Sequence, residues 1–565
     1  MNTKTRIQWL INFFLVIFIL LAGKLFFIQV IQNNFYAEKI QNQRYRLISL
    51  SSPRGDILDR NRSVLATLID VSSYFAVPRE VENKKQTAQI LSKILNLKEI
   101  DLANRFNRES HFVWVSRKVD DQKAKLIDSL NLKGIHKITE QKRVYPKGRL
   151  ASQLIGFCGI DNQGLFGLEI GWDKFLKGKE GKLLIEKDAF GKTISFAEQK
   201  LVEKPTPGMN LTLTIDETIQ YITERELENA VKKNNANMGI AIVMDPKTNE
   251  ILGMAGYPNY DPNQYFKYPA KNWQTQAVSW VYEPGSTFKV ITASIGVNEG
   301  LFKKDTRLKF LTSITVGGKV IENAHAIHRF KNTLTVSEML QESVNTGSVQ
   351  VGLGIGPQKF YEGIRNFGFG ASTDIGLPGE SAGLLRHYTR WYKPDIAMMT
   401  FGQSIAVTPI QLITAYCAVA NKGVLQNPVL IKKVESLDGQ YLKVFEANKI
   451  RQAISQKAAK EVVEMMEETT TLGTGKRLKN KYFTVASKTG TAQKIIEGGR
   501  GYYKDRFVGS FMAFAPASNP KICVLVIIDN PRAGTYWGET TAGPALKKII
   551  DESLHYLNTK PDKSS

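Results

Sequence analysis

From Trp9 to Ile31 the chain reads WLINFFLVIFILLAGKLFFIQVI, apolar except for Asn12, Lys24 and Gln29. A run of this length fixes the start of the molecule, because about 20 apolar residues in a helix span the hydrocarbon core of a bilayer. A cleaved signal peptide has a shorter apolar region followed by a small-residue cleavage site, and neither feature is present here. The segment is therefore expected to be a retained anchor, residues 9–31. Lys4 and Arg6 precede it, which keeps the tail (1–8) cytoplasmic and places everything beyond about residue 35 outside. Lys24 can snorkel to the far headgroups. No comparable segment follows, so the expectation is a single-pass protein of the cytoplasmic (inner) membrane with a large extracytoplasmic body.

That body is too long for one core. A chain of 565 residues, 42% hydrophobic and 23% charged, predicts two to four ordered domains. The net charge of +23 calls for a polyanionic neighbour. The positive charges are scattered and no nucleic-acid motif occurs, so an anionic lipid or envelope polymer fits better than nucleic acid. Cys158, Cys417 and Cys523 are far apart and form no CxxC pair, which excludes a cysteine metal cluster or disulfide framework.

Residues 36–205 carry charge and short apolar patches, and ILDRNRSVLA reads as two short strands about an Asp-Arg-Asn turn. Arg54-Gly55-Asp56 matches an adhesion tripeptide, and GKT at 191–193 has Glu186 where a phosphate loop requires glycine; both are read as chance. VEKPTPGMN marks a boundary near 202–210. Beyond it, LTLTID is a strand and residues 238–258 a hairpin. Apolar helices follow the 280s, three strands occupy 482–529, and an amphipathic helix spans 542–557. Strands, then helices, then strands predict an α+β domain with an antiparallel sheet flanked by helices. The last residues, 559–565, are expected to be disordered.

The chemistry starts at YEPGSTFKV. Pro284 and Gly285 make a sharp entry to a helix, and Ser286 and Lys289 then share a face one turn apart. A serine hydroxyl needs a base, and a lysine serves once its pKa is lowered. This spacing is weak evidence alone, since Ser518 and Lys521 repeat it before a strand. Two further elements strengthen it. Ser343-Val344-Asn345 follows in a loop, and Lys488-Thr489-Gly490-Thr491 lies on an edge-like strand. SxxK, SxN and KTG in that order form the serine acyl-transfer signature. Ser343 can relay protons, Asn345 can hold a substrate amide, Lys488 adds a positive field, and Gly490 leaves room for close backbone approach. His325 and His328 have metal-pair spacing but no third ligand, and are read as structural or surface histidines.

With these motifs the chain resembles the class B penicillin-binding proteins over nearly its whole length, through RGDILDRN, GLEIGWDKFLKGKEG, EPGSTFK, SVN, FGQSIAVTPIQL and SKTGTAQK. Its ending is most like the cell-division (penicillin-binding protein 3) branch. Arg62 departs from the glycine usual after the DRN-like turn. The resemblance implies an N-terminal transmembrane helix, an elongated non-catalytic α+β pedestal of the dimerisation type at 36–205, and a penicillin-recognising transpeptidase domain at 210–558. It implies that Ser286 attacks the carbonyl between the terminal D-alanines of a stem peptide, with Lys289 as base. Ser343 and Lys488 would assist proton transfer, Thr489 and Thr491 would bind the terminal carboxylate, and the N–H groups of Ser286 and Thr491 would form the oxyanion hole. A neighbouring stem-peptide amine would resolve the acyl-enzyme into a cross-link. β-Lactams would trap Ser286, and neither cofactor nor metal is required. Implied partners are peptidoglycan stem peptides, the membrane, a septal glycosyltransferase and other division proteins. The competing readings are an elongation-type transpeptidase, a D,D-carboxypeptidase and a catalytically silent scaffold.

Overall fold

The computed structural model describes residues 2–36, 39, 45–50, 52–186, 200–436, 439–496, 498–499 and 501–563. GKT at 191–193 lies outside them. The chain divides into two compact units, residues 1–53 with 178–208, and residues 54–177 with 209–565. In the first, helix α1 (Thr3–Phe26) runs on through one wider turn to Ile31. This span has a mean hydropathy of 2.6 and buries none of its apolar window, so it is long and apolar enough to cross a membrane. The same unit holds an antiparallel sheet of Tyr45–Leu50, Gly181–Glu186 and Lys200–Glu203.

The second unit is built on a five-stranded antiparallel sheet: β1 (Met238–Met244), β2 (Ile251–Tyr257), β3 (Ala486–Ile495), β4 (Tyr502–Ala515) and β5 (Ile522–Asp529), in the spatial order β2-β1-β5-β4-β3. Every residue of β5 is buried. Strand alternation explains why its sequence is apolar throughout rather than every second residue. Cys523, Leu525 and Ile527 enter one core with helix α3 (Lys289–Asn298). Val524, Val526 and Ile528 enter a second core with α2 (Glu217–Lys233) and α5 (Gly543–Tyr556). Both faces are covered, so both sets of side chains must be apolar. β3 is left at the edge of this sheet.

The boundary expected near 202–210 is bridged in space. Ile57–Leu58 pairs in parallel with Asn210–Leu213, which pairs antiparallel with Ile431–Glu435. Residues 54–177 are therefore hydrogen-bonded into the unit that holds β1–β5. Arg54 of the RGD tripeptide is 4% exposed and bonds to Glu169 and Asp173 at 2.7 and 2.6 Å, so it is unavailable as an adhesion ligand.

Arg62 adopts φ 68°, the left-handed conformation that glycine accepts at little cost. Its side chain explains why arginine stands there: Nη1 lies 2.7 Å from Oε1 of Glu435, which is 1% exposed. Arg62→Gly should relieve about 1 kcal/mol of strain and strand a buried carboxylate at a larger cost. Because Arg62 itself is largely exposed, a net loss of about 1–2 kcal/mol is expected in urea unfolding.

Within the tail, the described residues 559–563 include polar contacts to the rest of their unit. Asp562 accepts hydrogen bonds from Thr484 N at 2.8 Å and Ser518 Oγ at 2.6 Å, and its own N–H reaches Tyr482 O at 3.2 Å. These polar partners are remote in sequence, so composition alone could not reveal them.

Candidate active site

The nucleophile turn is a short 3₁₀ segment, Gly285–Phe288, and α3 begins only at Lys289. Ser286 thus sits one turn ahead of the α-helix rather than on its first residue. The turn is fixed from below by backbone bonds: Tyr282 exchanges both bonds with Val407, and Gly285 N donates to Gly402 O at 3.1 Å. Ser286 stays half-buried, while its neighbours Thr287, Phe288 and Lys289 are fully buried.

Ser343 comes from the loop after α4 (Val336–Gln341), a helix started by a capping box of Thr335 and Glu338. Ser343 has φ 56°, which turns the chain sharply into the helix beginning at Asn345. Lys488 projects from β3. Lysines 289 and 488, remote in sequence, converge on Ser343. Lys289 Nζ donates to the Ser343 carbonyl, to Ser343 Oγ at 3.2 Å and to Asn345 Oδ1 at 2.7 Å. Lys488 Nζ donates to Ser343 Oγ at 3.0 Å and to Thr489 O at 3.0 Å. Among the described residues no hydrogen bond links Lys289 to Ser286.

Both ammonium groups are completely buried. Burial, with the nearby charge of Lys488 second, holds Lys289 well below the ordinary lysine value. Burial pushes Lys488 down to about 7. A lysine removed from water prefers its neutral form, and two such groups sharing one hydroxyl cannot both carry charge cheaply. The arrangement supplies a neutral amine and an adjacent group able to hold a proton.

Two of these residues are engaged within the protein. Asn345 does not present a free amide: Oδ1 accepts from Lys289 and Nδ2 donates to Glu322 O at 2.8 Å. Gly490 is required by the protein's own packing. A Cβ there would lie 2.5 Å from Ser510 Oγ and 2.8 Å from a Thr287 methyl, so β3 could not press against the nucleophile turn. Of the threonines, Thr489 Oγ1 donates to Thr474 at 3.1 Å and Thr491 Oγ1 accepts from Gly538 N at 3.2 Å.

Two cavities, of about 490 and 340 Å³, share Ser286, Ala324, Thr491 and Trp537 in their linings. The larger adds an aromatic wall in which Phe507 stacks on Tyr536 at 4.0 Å. The smaller adds Ser343, Thr489 and Gly490. No cluster of three or more metal-ligating side chains occurs among the described residues.

Sequence reading missed Glu283. Its Oε1 accepts from Ser404 N at 2.8 Å and Tyr502 OH at 3.2 Å, which ties the nucleophile turn to the loop beneath it and to the start of β4. Oε2 is buried with no hydrogen-bond partner among the described residues. Burial pushes this carboxyl up to about 7. The folded state therefore holds the proton more tightly than the unfolded chain. The stabilisation is present below the ordinary value near 4.5 and is lost as the pH rises through 7. Glu283→Gln should remove this loss, a difference of up to about 3 kcal/mol between pH 5 and 8 in denaturant titrations.

With this geometry established, known relatives can be compared. The family "Penicillin binding protein transpeptidase domain" matches residues 239–551, and "Penicillin-binding Protein dimerisation domain" matches 49–213. The chain belongs to the penicillin-binding protein transpeptidase family. Stage V sporulation protein D of Bacillus subtilis is 33% identical over all of this chain and 87% of its own length. The peptidoglycan D,D-transpeptidase FtsI of Escherichia coli is 31% identical over 96% of this chain and 90% of its own. Penicillin binding protein 3 of Mycobacterium tuberculosis, solved with aztreonam, superposes with a TM-score of 0.71 at 26% identity, covering 91% of this chain and 98% of that one. In this penicillin-binding protein Ser286, Lys289, Ser343, Asn345 and Lys488–Thr491 all fall inside the transpeptidase match.

Proposed function

We infer that this chain is a membrane-anchored, serine-type peptidoglycan D,D-transpeptidase that cross-links stem peptides and is acylated by β-lactams. The observation that carries the reading is the convergence of buried Lys289 and Lys488 on Ser343 Oγ, in the lining of a cavity that also contains Ser286. Lys289 takes the Ser286 proton, and Ser286 Oγ attacks the carbonyl between the two terminal D-alanines. The N–H groups of Ser286 and Thr491 receive the oxyanion, and each such donor is typically worth 10²–10³ in rate. Thr489 and Thr491 hold the terminal carboxylate. Ser343, fed by the lysines, protonates the departing D-alanine. Residues 36–205 serve as the pedestal, residues 210–558 as the catalytic domain, and residues 9–31 as the anchor with the N-terminus inside.

Incubation of the full-length protein with paired stem peptides tests this: cross-linked dimers are expected, and exclusively trimmed monomers would establish a carboxypeptidase instead. Likeness to FtsI supports a septal role beside a glycosyltransferase and other division proteins. Likeness to the sporulation protein supports a second reading, service in sporulation. A tagged copy at midcell in growing cells is the expected result; uniform side-wall placement would overturn the septal role.

A further inference from the structure

In the cross-linking reaction inferred above, the protons carried by the two amines do not balance across the described machinery. D-Alanine leaves with one proton supplied through Ser343. In the second half-reaction the acceptor nitrogen takes the place of the leaving nitrogen, so Ser343 can receive one proton back. A primary amine, however, arrives as an ammonium ion at neutral pH, since its ordinary pKa is about 10. One further proton must be removed before its lone pair can attack. A base on the acceptor side would leave both lysines to the relay between Ser286 and Ser343, Lys289 as its neutral base and Lys488 bonded to Ser343 Oγ and Thr489 O.

The smaller cavity contains another base. His325 lines it together with Ser286, Ser343 and Thr491. Its ring is exposed on one side and meets Trp537 edge-on at 6.0 Å. Glu539 lines the same cavity. A carboxylate and an indole face both favour a cation, and the vacated D-alanine position adjoins Thr489 and Thr491. We propose that His325 is the acceptor-side base: in this cavity its imidazole removes the first proton from the incoming ammonium group, which then attacks the Ser286 ester. The balance is complete. The ammonium and imidazole become amine and imidazolium; the C–N bond forms as the C–Oγ bond breaks; the second amine proton passes to Ser343, and Ser286 recovers its own through Lys289.

The groups that act on His325 are consistent with this role. Partial desolvation holds its pKa below the ordinary imidazole value, against the pull of Glu342. Glu342 is itself paired with Arg329 at 3.2 Å.

The test uses the full-length enzyme, a D-Ala-D-Ala-terminated donor peptide and a peptide acceptor with one free side-chain amine. The readout is the ratio of cross-linked to hydrolysed donor. His325→Gln should lower this ratio about 100-fold at pH 7, the low end of what a general base contributes. The deficit should close as the pH approaches about 10, where the amine is free without assistance. An unchanged ratio at pH 7, or a deficit that persists unaltered at high pH, would overturn the assignment; the second outcome would mark a positioning role. His325→Asn, measured in parallel, guards against a defect peculiar to one substitution. Fluorescent-penicillin acylation of the wild type separates this inference from the function on which it rests. If the wild type acylates and cross-links while the variant ratio holds, only His325 is refuted; if the wild type fails to acylate, the transpeptidase reading falls first.

Discussion

Ser286→Ala should abolish covalent labelling by fluorescent penicillin and reduce cross-linking on the order of 10⁶-fold, the scale seen when a serine nucleophile is removed. On the function proposed above neither reaction has another route to an acyl-enzyme, because Ser286 Oγ alone would attack the carbonyl carbon. The fold should be unaffected. The turn is held by main-chain bonds of Tyr282 and Gly285 to the loop carrying Gly402 and Val407, none of which uses the Ser286 hydroxyl. Ser286 is also half-buried rather than part of a core, so unfolding free energy should change by less than about 0.5 kcal/mol. An unlabelled, folded variant beside a labelled wild type is the expected pair. Labelling of Ser286→Ala would place the nucleophile elsewhere, and an unlabelled wild type would revive the silent-scaffold reading.

Lys289→Met should be nearly as damaging to catalysis, with acylation slowed about 10³–10⁴-fold. Methionine keeps the length and apolar character of the side chain but cannot take the Ser286 proton. It also leaves the Ser343 carbonyl and Asn345 Oδ1 without the donor they now share. Removing a buried amine relieves its desolvation, whereas the orphaned acceptors cost about 1–3 kcal/mol, so stability should shift far less than activity. The wild-type pH profile follows from the same geometry. Both lysines are held below the ordinary value, and Lys488 titrates near 7. The neutral base therefore gains population as the pH rises, and acylation should fall as the pH drops from about 8 to 5. The apparent pKa belongs to the pair, not to either residue. The sign for stability is the same. A lysine depressed in the folded state costs stability at low pH, because the unfolded chain binds the proton better, and this cost is relieved as the pH rises towards 10. A pH-independent acylation rate between 5 and 8 would contradict the assignment of a neutral lysine as base.

Much of the site was legible in the chain. SxxK, SVN and KTGT are local patterns whose order and setting on a turn, a loop and an edge strand can be read without a fold. Ser518 and Lys521 show the limit: the same spacing occurs beside a strand that offers no site. Glu283, by contrast, is an unremarkable acidic residue before a Pro-Gly pair. Only contacts with Ser404 and Tyr502, more than a hundred residues away, make it a buried connector. His325 read as a surface residue because nothing in AHAIHRF places it beside Ser343. The reason for Gly490 was also hidden, since the atoms a side chain would strike belong to Ser510 and Thr287.

The sequence by itself determined an N-terminal helix long and apolar enough to cross a membrane, because about 20 consecutive apolar residues match the thickness of a bilayer core. It determined the sheet, because strand-length apolar runs between turn residues state their own period. It also carried the SxxK, SVN and KTGT pattern that points to the reacting groups. Tertiary structure alone decided how those groups behave. It placed two lysines, 54 and 145 residues from Ser343, within 3.2 Å of one hydroxyl and closed both off from water. It also paired Ile57–Leu58, within residues 54–177, with Asn210–Leu213 of the same compact unit. Charge state and packing depend on everything within a few ångströms of an atom, and most of that comes from distant parts of the chain. SVN and KTGT, following Ser286 and Lys289 in order, point to a nucleophile and a base; burial, with Lys488 nearby, is what holds that lysine well below its ordinary pKa.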